Sequence, residues 1–358
     1  MSTNVPGVNY ENVRRWFAQQ IEGGDCDLDF QLIGDGRSNI TYLVRGNGNT
    51  WVMRRPPLGH VLPTAHDMAR EFKVQSAVTK VGYPAPKMLA LCEDPAVNEY
   101  PFYVMDFKDG IIIVADVPAG FAETPEARGK IGQALVDNMV RLHGIDYPAV
   151  GLGDFAHKPE AYLERQVRRW SEQWERSKTR EIPEIDELIR RLRGAIPQSA
   201  PPTIVHGDYR LGNIIFNRDD PGKVEAVLDW EMSTLGDPIA DLGYTLVYWG
   251  NSGDNEMRRR ARPMSAITAQ EGFWTREQII AEYGRQTGRD VSNVDYYEVF
   301  ANYKLAVITE GIYNRHTQGK TTFNEAAGAS MAESAKNLID LALAQADASP
   351  NPRLRGSF

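Results

Sequence analysis

The sequence predicts an α+β chain of two lobes, a strand-rich one followed by a mainly helical one. Three observations carry this. With 358 residues the chain has room for about two units of roughly 150 residues each. Short strand-like apolar runs cluster before residue 108, and long segments with helical apolar spacing come after it. Composition is ordinary for a globular chain, 42% hydrophobic and 25% charged with 31 Gly and 21 Pro, which excludes a disordered or fibrous bulk.

The first element is a helix, because from Val13 the residues Trp16, Phe17 and Ile21 recur at helix spacing. Strands follow at Phe30–Ile33, Thr41–Val44 and Trp51–Met53, and Gly46-Asn47-Gly48-Asn49 joins the last two as a hairpin. A helix is expected from about Thr64 to Lys80, then strands at Met88–Leu91 and Phe102–Phe107. These elements make an N-terminal lobe of antiparallel sheet plus helix. After Lys108-Asp109-Gly110 the pattern turns to amphipathic helices near 124–143, 159–177, 183–194, 275–287 and 294–314, interrupted by a short β segment around 203–229. The expected divisions are 1–107, 108–347 and a frayed tail at 348–358, which carries two prolines and no apolar period.

Charge and cysteine content narrow the function classes. Lys+Arg 40 against Asp+Glu 48 gives 40 − 48 = −8, a field that repels nucleic acid and anionic membrane surfaces. Cys26 and Cys92 form neither a CxxC pair nor a Cys/His cluster, so no disulfide framework or structural zinc is expected. The first residues show no basic-then-apolar leader, and no run approaches the ~18 apolar residues of a membrane span. A soluble, cytoplasmic chain is the expectation.

The chemistry concentrates in Ile204-Val205-His206-Gly207-Asp208-Tyr209-Arg210-Leu211-Gly212-Asn213-Ile214-Ile215-Phe216 and in Val224-Glu225-Ala226-Val227-Leu228-Asp229-Trp230-Glu231. If 214–216 pairs antiparallel with 226–228, Asn213 and Asp229 lie side by side and Asp208 reaches the same edge by its loop. Hard oxygen donors without His or Cys suit Mg²⁺ that shares its shell with water and phosphate.

His206-Gly207-Asp208-Tyr209-Arg210-Leu211-Gly212-Asn213 and Leu228-Asp229-Trp230-Glu231 resemble the catalytic loop and metal-binding segment of the aminoglycoside phosphotransferase family, which has a protein-kinase-like fold. The resemblance implies transfer of the γ-phosphoryl group of Mg-ATP to a small-molecule hydroxyl acceptor, with GTP open as an alternative donor. Asp208 would orient and deprotonate the acceptor, and Asn213 and Asp229 would hold Mg²⁺. In the first lobe, Gly34, Gly36, Ser38 and Asn39 sit between two strands and would cover the phosphates. Arg54, on the third strand where kinases use Lys, would position phosphates with Glu71 as its partner, and Arg55 is the competing choice. Backbone groups near Met105 and Phe107 would hold the base. Asp241 would brace the catalytic loop, and His143 would pack behind it.

Fold does not settle the acceptor. Val52-Met53-Arg54-Arg55-Pro56-Pro57, Arg70-Glu71-Phe72 and Tyr103-Val104-Met105 are similar to the branch of the family found fused to acyl-CoA dehydrogenases, which implies hydroxyacyl-CoA thioester acceptors. Arg165, Arg168, Arg169, Arg176, Lys178, Arg180, Arg190, Arg191 and Arg193 would suit such an anion, although the interleaved Glu164, Glu172, Glu175 and Glu181 fit a solvated helix face. An aminoglycoside kinase and a nucleotide-binding pseudokinase scaffold are the alternative readings. A metallophosphoesterase needs a histidine soon after Asn213, and none follows before His316. A serine hydrolase needs a Gly-x-Ser-x-Gly elbow, which is absent. Oligomeric state is open.

Overall fold

Strand-forming segments between residues 29 and 106 close into one five-stranded antiparallel sheet, the floor on which the first lobe is built. The computed structural model describes residues 5–33, 39–58, 67–319 and 324–357. The strands β1 (Asp29–Ile33), β2 (Ile40–Gly46), β3 (Asn49–Arg55), β4 (Met88–Cys92) and β5 (Phe102–Asp106) are ordered β1-β2-β3-β5-β4. β2 and β3 form the expected hairpin, with Gly46 opposite Asn49 and both turn residues, Asn47 and Gly48, left-handed at φ 50° and 78°. That turn matches the native strand twist. On one face α1 (Tyr10–Gln20) buries Val13 and Phe17 against Val44, Trp51, Met53 and Phe102. On the other, α2 (Met68–Lys80) packs Met68 against Val52, Tyr103 and Met105. Asp67 caps α2 by accepting from the Arg70 N–H at 2.9 Å.

The second lobe is mainly helical. Its elements are β6 (Ile111–Ile112), α3 (Pro125–His143), α4 (Tyr162–Ser177), α5 (Pro183–Gly194), β7 (Thr203–Val205), β8 (Ile214–Phe216), β9 (Val224–Val227), β10 (Thr234–Gly236), α6 (Ile239–Tyr248), α7 (Glu256–Ala261), α8 (Arg276–Thr287), α9 (Val294–Thr317) and α10 (Glu325–Ala348). α9 runs through the middle, packed by α10, α6 and α4. Short sheets β6-β8-β9 and β10-β7 carry the segments around Asp208 and Asp229. The architecture is thus the bilobal α+β fold expected. No helix among the described residues is long and apolar enough to cross a membrane.

Two departures from the sequence reading have physical causes. No helix is read above over 325–348, yet α10 forms there, because its buried stripe is largely alanine and glycine (Gly328, Ala332, Ala335, Ala342 and Ala346) with little hydrophobic contrast. The expected frayed tail is corrected: Leu354 is 0% exposed within the main core, and Arg355 donates to the Ser349 carbonyl at 3.3 Å. Buried Leu354 and Ser349, the latter bonded to Asp295, anchor a segment that has no periodicity of its own.

Candidate active site

The segment after β7 turns sharply at Gly207, whose φ of 84° lies in the left-handed region. A Cβ there would sit 2.6 Å from the Met232 carbonyl oxygen, so only glycine lets the loop pass the segment beyond Asp229. Asp241, at the start of α6 and fully buried, holds the turn by accepting from the backbone N–H groups of His206 and Gly207, both at 2.7 Å. His143 reaches Asp241 at 3.1 Å and the Tyr283 hydroxyl at 2.8 Å, so it packs behind the loop as expected. Burial pushes the Asp241 carboxyl up, but His143, His206 and the Gly207 N–H outweigh it and hold the group below its ordinary value. His206 completes the brace, with Nε2 donating to the Leu228 carbonyl at 2.9 Å and Nδ1 accepting from the Asp208 N–H at 3.2 Å.

Asp208 and Asn213 meet directly. The Asn213 Nδ2 donates to Asp208 Oδ2 and to the Asp208 carbonyl, each at 2.8 Å. Arg210 Nε donates to the other carboxylate oxygen at 3.2 Å, so both oxygens are oriented. β8 pairs β9 with Ile214 opposite Val227, and the Leu228 N–H donates to the Asn213 carbonyl at 2.8 Å. Asn213 and Asp229 therefore flank one ladder end. Asp229 holds a left-handed backbone (φ 67°, ψ 67°), a conformation that costs about 1 kcal/mol or more in a non-glycine residue.

The first lobe contributes through Arg54. Its guanidinium donates to Asp229 at 2.7 Å and Glu231 at 3.1 Å, and Nε lies 3.7 Å from Glu71. Burial alone would lower its basicity, but Tyr103 and the three carboxylates raise it well above the usual arginine value. Glu71 is fixed in turn by the Tyr103 hydroxyl at 2.8 Å and Asn39 Nδ2 at 2.9 Å. Arg55 points the other way, as strand alternation demands, and binds the carbonyls of Gly7 and Pro56. Among the described residues, two buried polar atoms here have no hydrogen-bond partner, Arg54 Nε and Asn39 Oδ1.

Gly34, Gly36 and Ser38 lie outside the described residues. Met105 is buried in β5, an inner strand of the sheet, whereas Phe107 follows its end, 41% exposed. Sequence reasoning missed two residues near Asp208. Tyr244 on α6 stands near enough to feel the charge of Asp208, its hydroxyl 3.4 Å from that of Tyr248. Lys304 on α9 donates to the Gly207 carbonyl at 2.7 Å and lies 4.5 Å from the Tyr244 ring centroid. Burial lowers the Lys304 ammonium to about 8 against the pull of Asp208 and Asp241. Neither belongs to a motif; the one hint was a lysine within the apolar run of α9. An open pocket of about 420 Å³ lies beside Gly207 between α2, α4 and α9.

The comparisons with known proteins agree with this geometry. Residues 29–267 match the family model described as APH, phosphotransferase enzyme family. Acyl-CoA dehydrogenase family member 10 of Mus musculus is 34% identical over 288 residues, which is 80% of this chain and 26% of that protein. Member 11 of Rattus norvegicus is 34% identical over 80% of this chain and 36% of its own length. The chain thus spans about a quarter to a third of these relatives. A crystal structure from Ralstonia eutropha JMP134, provisionally designated an aminoglycoside phosphotransferase, is 33% identical, covers 93% of this chain and 97% of its own, and superposes with a TM-score of 0.76. Choline kinase of Cryptosporidium parvum shares the fold at a TM-score of 0.62 and 14% identity, with 94% of each chain covered.

Proposed function

The chain belongs to the APH phosphotransferase family, and from that premise we propose that it transfers the γ-phosphoryl group of ATP to the hydroxyl of a small-molecule acceptor, with hydroxyacyl-CoA thioesters as the first candidates. The observation that carries this reading is the meeting of Asp208, Asn213 and Asp229 at one ladder end, with Arg54 reaching Asp229 from the other lobe.

In the proposed reaction the acceptor oxygen forms a bond to the γ-phosphorus, and the bond from that phosphorus to the bridging oxygen of ADP breaks. Asp208 orients the hydroxyl and takes its proton. Its two oxygens are already aimed by Asn213 and Arg210, so little reorganisation is needed. Mg²⁺ fits the Asn213 side-chain oxygen and the Asp229 carboxylate, hard donors that leave room for water and phosphate, and when bound it neutralises charge on the transferred group. Arg54 positions phosphates, held in place by Glu71, Asp229 and Glu231. Backbone groups near Met105 and Phe107 hold the base.

The test is ADP release from Mg-ATP over a panel of hydroxyacyl-CoA thioesters, aminoglycosides, choline-like alcohols and sugars. Asp208→Asn is expected to abolish release, a loss of about 10³-fold or more, while nucleotide still binds. Asp229→Ala is expected to weaken Mg²⁺-dependent nucleotide binding. Unchanged turnover by the Asp208 variant would overturn the assignment.

A further inference from the structure

Four cations line the pocket beside the catalytic loop: Arg70 from α2, Arg165 and Arg169 from α4, and Lys304 from α9. Arg165 and Arg169 are four residues apart and share a helix face. The pocket also carries Asp67 and Glu231, so its formal charge is 4 − 2 = +2, within a chain of net charge −8. Both acids are occupied elsewhere, Asp67 as the cap of α2 and Glu231 by Arg54 at 3.1 Å.

Among the described residues none of the four cations is ion-paired. Arg70 donates to the carbonyls of Phe155 and Ser233, Arg165 to those of His157 and Lys158, and Lys304 to that of Gly207. Other arginines of the chain are matched to acids, as Arg190 and Arg191 are to Glu187 at 2.7 Å. Here like charges converge instead. Burial lowers the basicity of Arg70 and of Lys304; Asp67 opposes this at Arg70, as Asp208 and Asp241 do at Lys304, and the charge of Arg169 adds to the lowering of both. Such an arrangement is relieved by an anion.

We propose that this pocket is the anion subsite of the acceptor: it takes a phosphate or carboxylate group of the molecule whose hydroxyl faces Asp208. The inference rests on the phosphotransferase reading above for the identity of that molecule, and it goes further by naming the charge that selects it. A polycationic amino sugar or a quaternary ammonium alcohol is repelled by the same residues. The anion can come from the phosphates of a CoA thioester or from the carboxylate of a free hydroxy acid.

The experiment separates these sources and separates the two readings. The full chain is titrated calorimetrically, without nucleotide, with coenzyme A and with 4-hydroxybutyrate, using wild type and the double variant Arg165→Gln/Arg169→Gln. Both arginines are at least partly exposed, and thermal melts check that the variant folds. Wild type is expected to bind one probe, and the variant to bind it about 100-fold more weakly, roughly tenfold per lost charged contact, with Mg-ATP affinity unchanged. The probe that binds identifies the source. No binding of either probe, or equal binding by the variant, would overturn the subsite. Turnover of a cationic alcohol at equal rates in both proteins would overturn it while the phosphotransferase reading stands. Variant-sensitive probe binding without ADP release from any acceptor would do the reverse.

Discussion

Replacing Lys304 with methionine removes a buried charge while keeping an unbranched side chain of similar volume. The residue is 7% exposed and its ammonium donates to the Gly207 carbonyl. It faces Asp208, Asp241 and Arg169 and the rings of Tyr244 and Trp170. Burial, opposed by the two aspartates and assisted by Arg169, takes it from 10.5 to about 8. The unfolded chain keeps the higher value, so between pH 8 and 10.5 the unfolded state binds the extra proton and wild-type stability rises with pH across that window. The interval, 10.5 − 8 = 2.5 units, corresponds to about 3 kcal/mol spent at pH 7 on keeping Lys304 charged. The variant has no such term. Its stability relative to wild type should therefore fall by about 1.4 kcal/mol per pH unit above pH 8, whatever constant offset comes from losing the hydrogen bond to Gly207. Urea unfolding of both proteins at pH 7, 8, 9 and 10, followed by subtraction, reads this directly. A difference that stays flat across the range would refute the reasoning.

Other outcomes follow from the same geometry. Asp241→Asn leaves the His206 and Gly207 N–H groups facing an uncharged amide, and should cost about 3 kcal/mol by calorimetry. Because the Asp241 carboxyl is held below its ordinary 3.8, its contribution is present above that pH and lost as pH falls through the folded value, so the variant should show a shallower acid-unfolding limb. Gly207→Ala puts a Cβ against the Met232 carbonyl and should lower stability by about 2 kcal/mol and turnover more than tenfold by moving Asp208. Leu354→Ala should cost about 2–5 kcal/mol in urea unfolding, and a change below about 0.5 kcal/mol would mean that the terminal segment is not seated in the core.

The residue spacing around 204–231 was enough to bring Asp208, Asn213 and Asp229 toward one point, because a short antiparallel pair leaves few registers that bury Ile214, Phe216 and Val227. Strand alternation likewise forces Arg54 and Arg55 to opposite faces, but which face looks toward Asp229 depends on the packing of the sheet on the second lobe. α10 and the Leu354 anchor were illegible for a simple reason: alanine stripes and single leucines carry little periodic signal, and their burial depends on a partner helix far away in sequence.

What the sequence by itself determined is the order of the first-lobe elements, the α+β division and the local chemistry of the 206–213 loop, all of which depend on neighbours within a few residues or across one hairpin. Tertiary structure alone decided that Lys304 and Tyr244 stand beside Asp208 and that Arg70, Arg165 and Arg169 converge on the same pocket. Those residues come from four helices between 70 and 304, and no short-range rule relates their positions. Only the packing of α2, α4, α6 and α9 around one core sets the charge of that pocket.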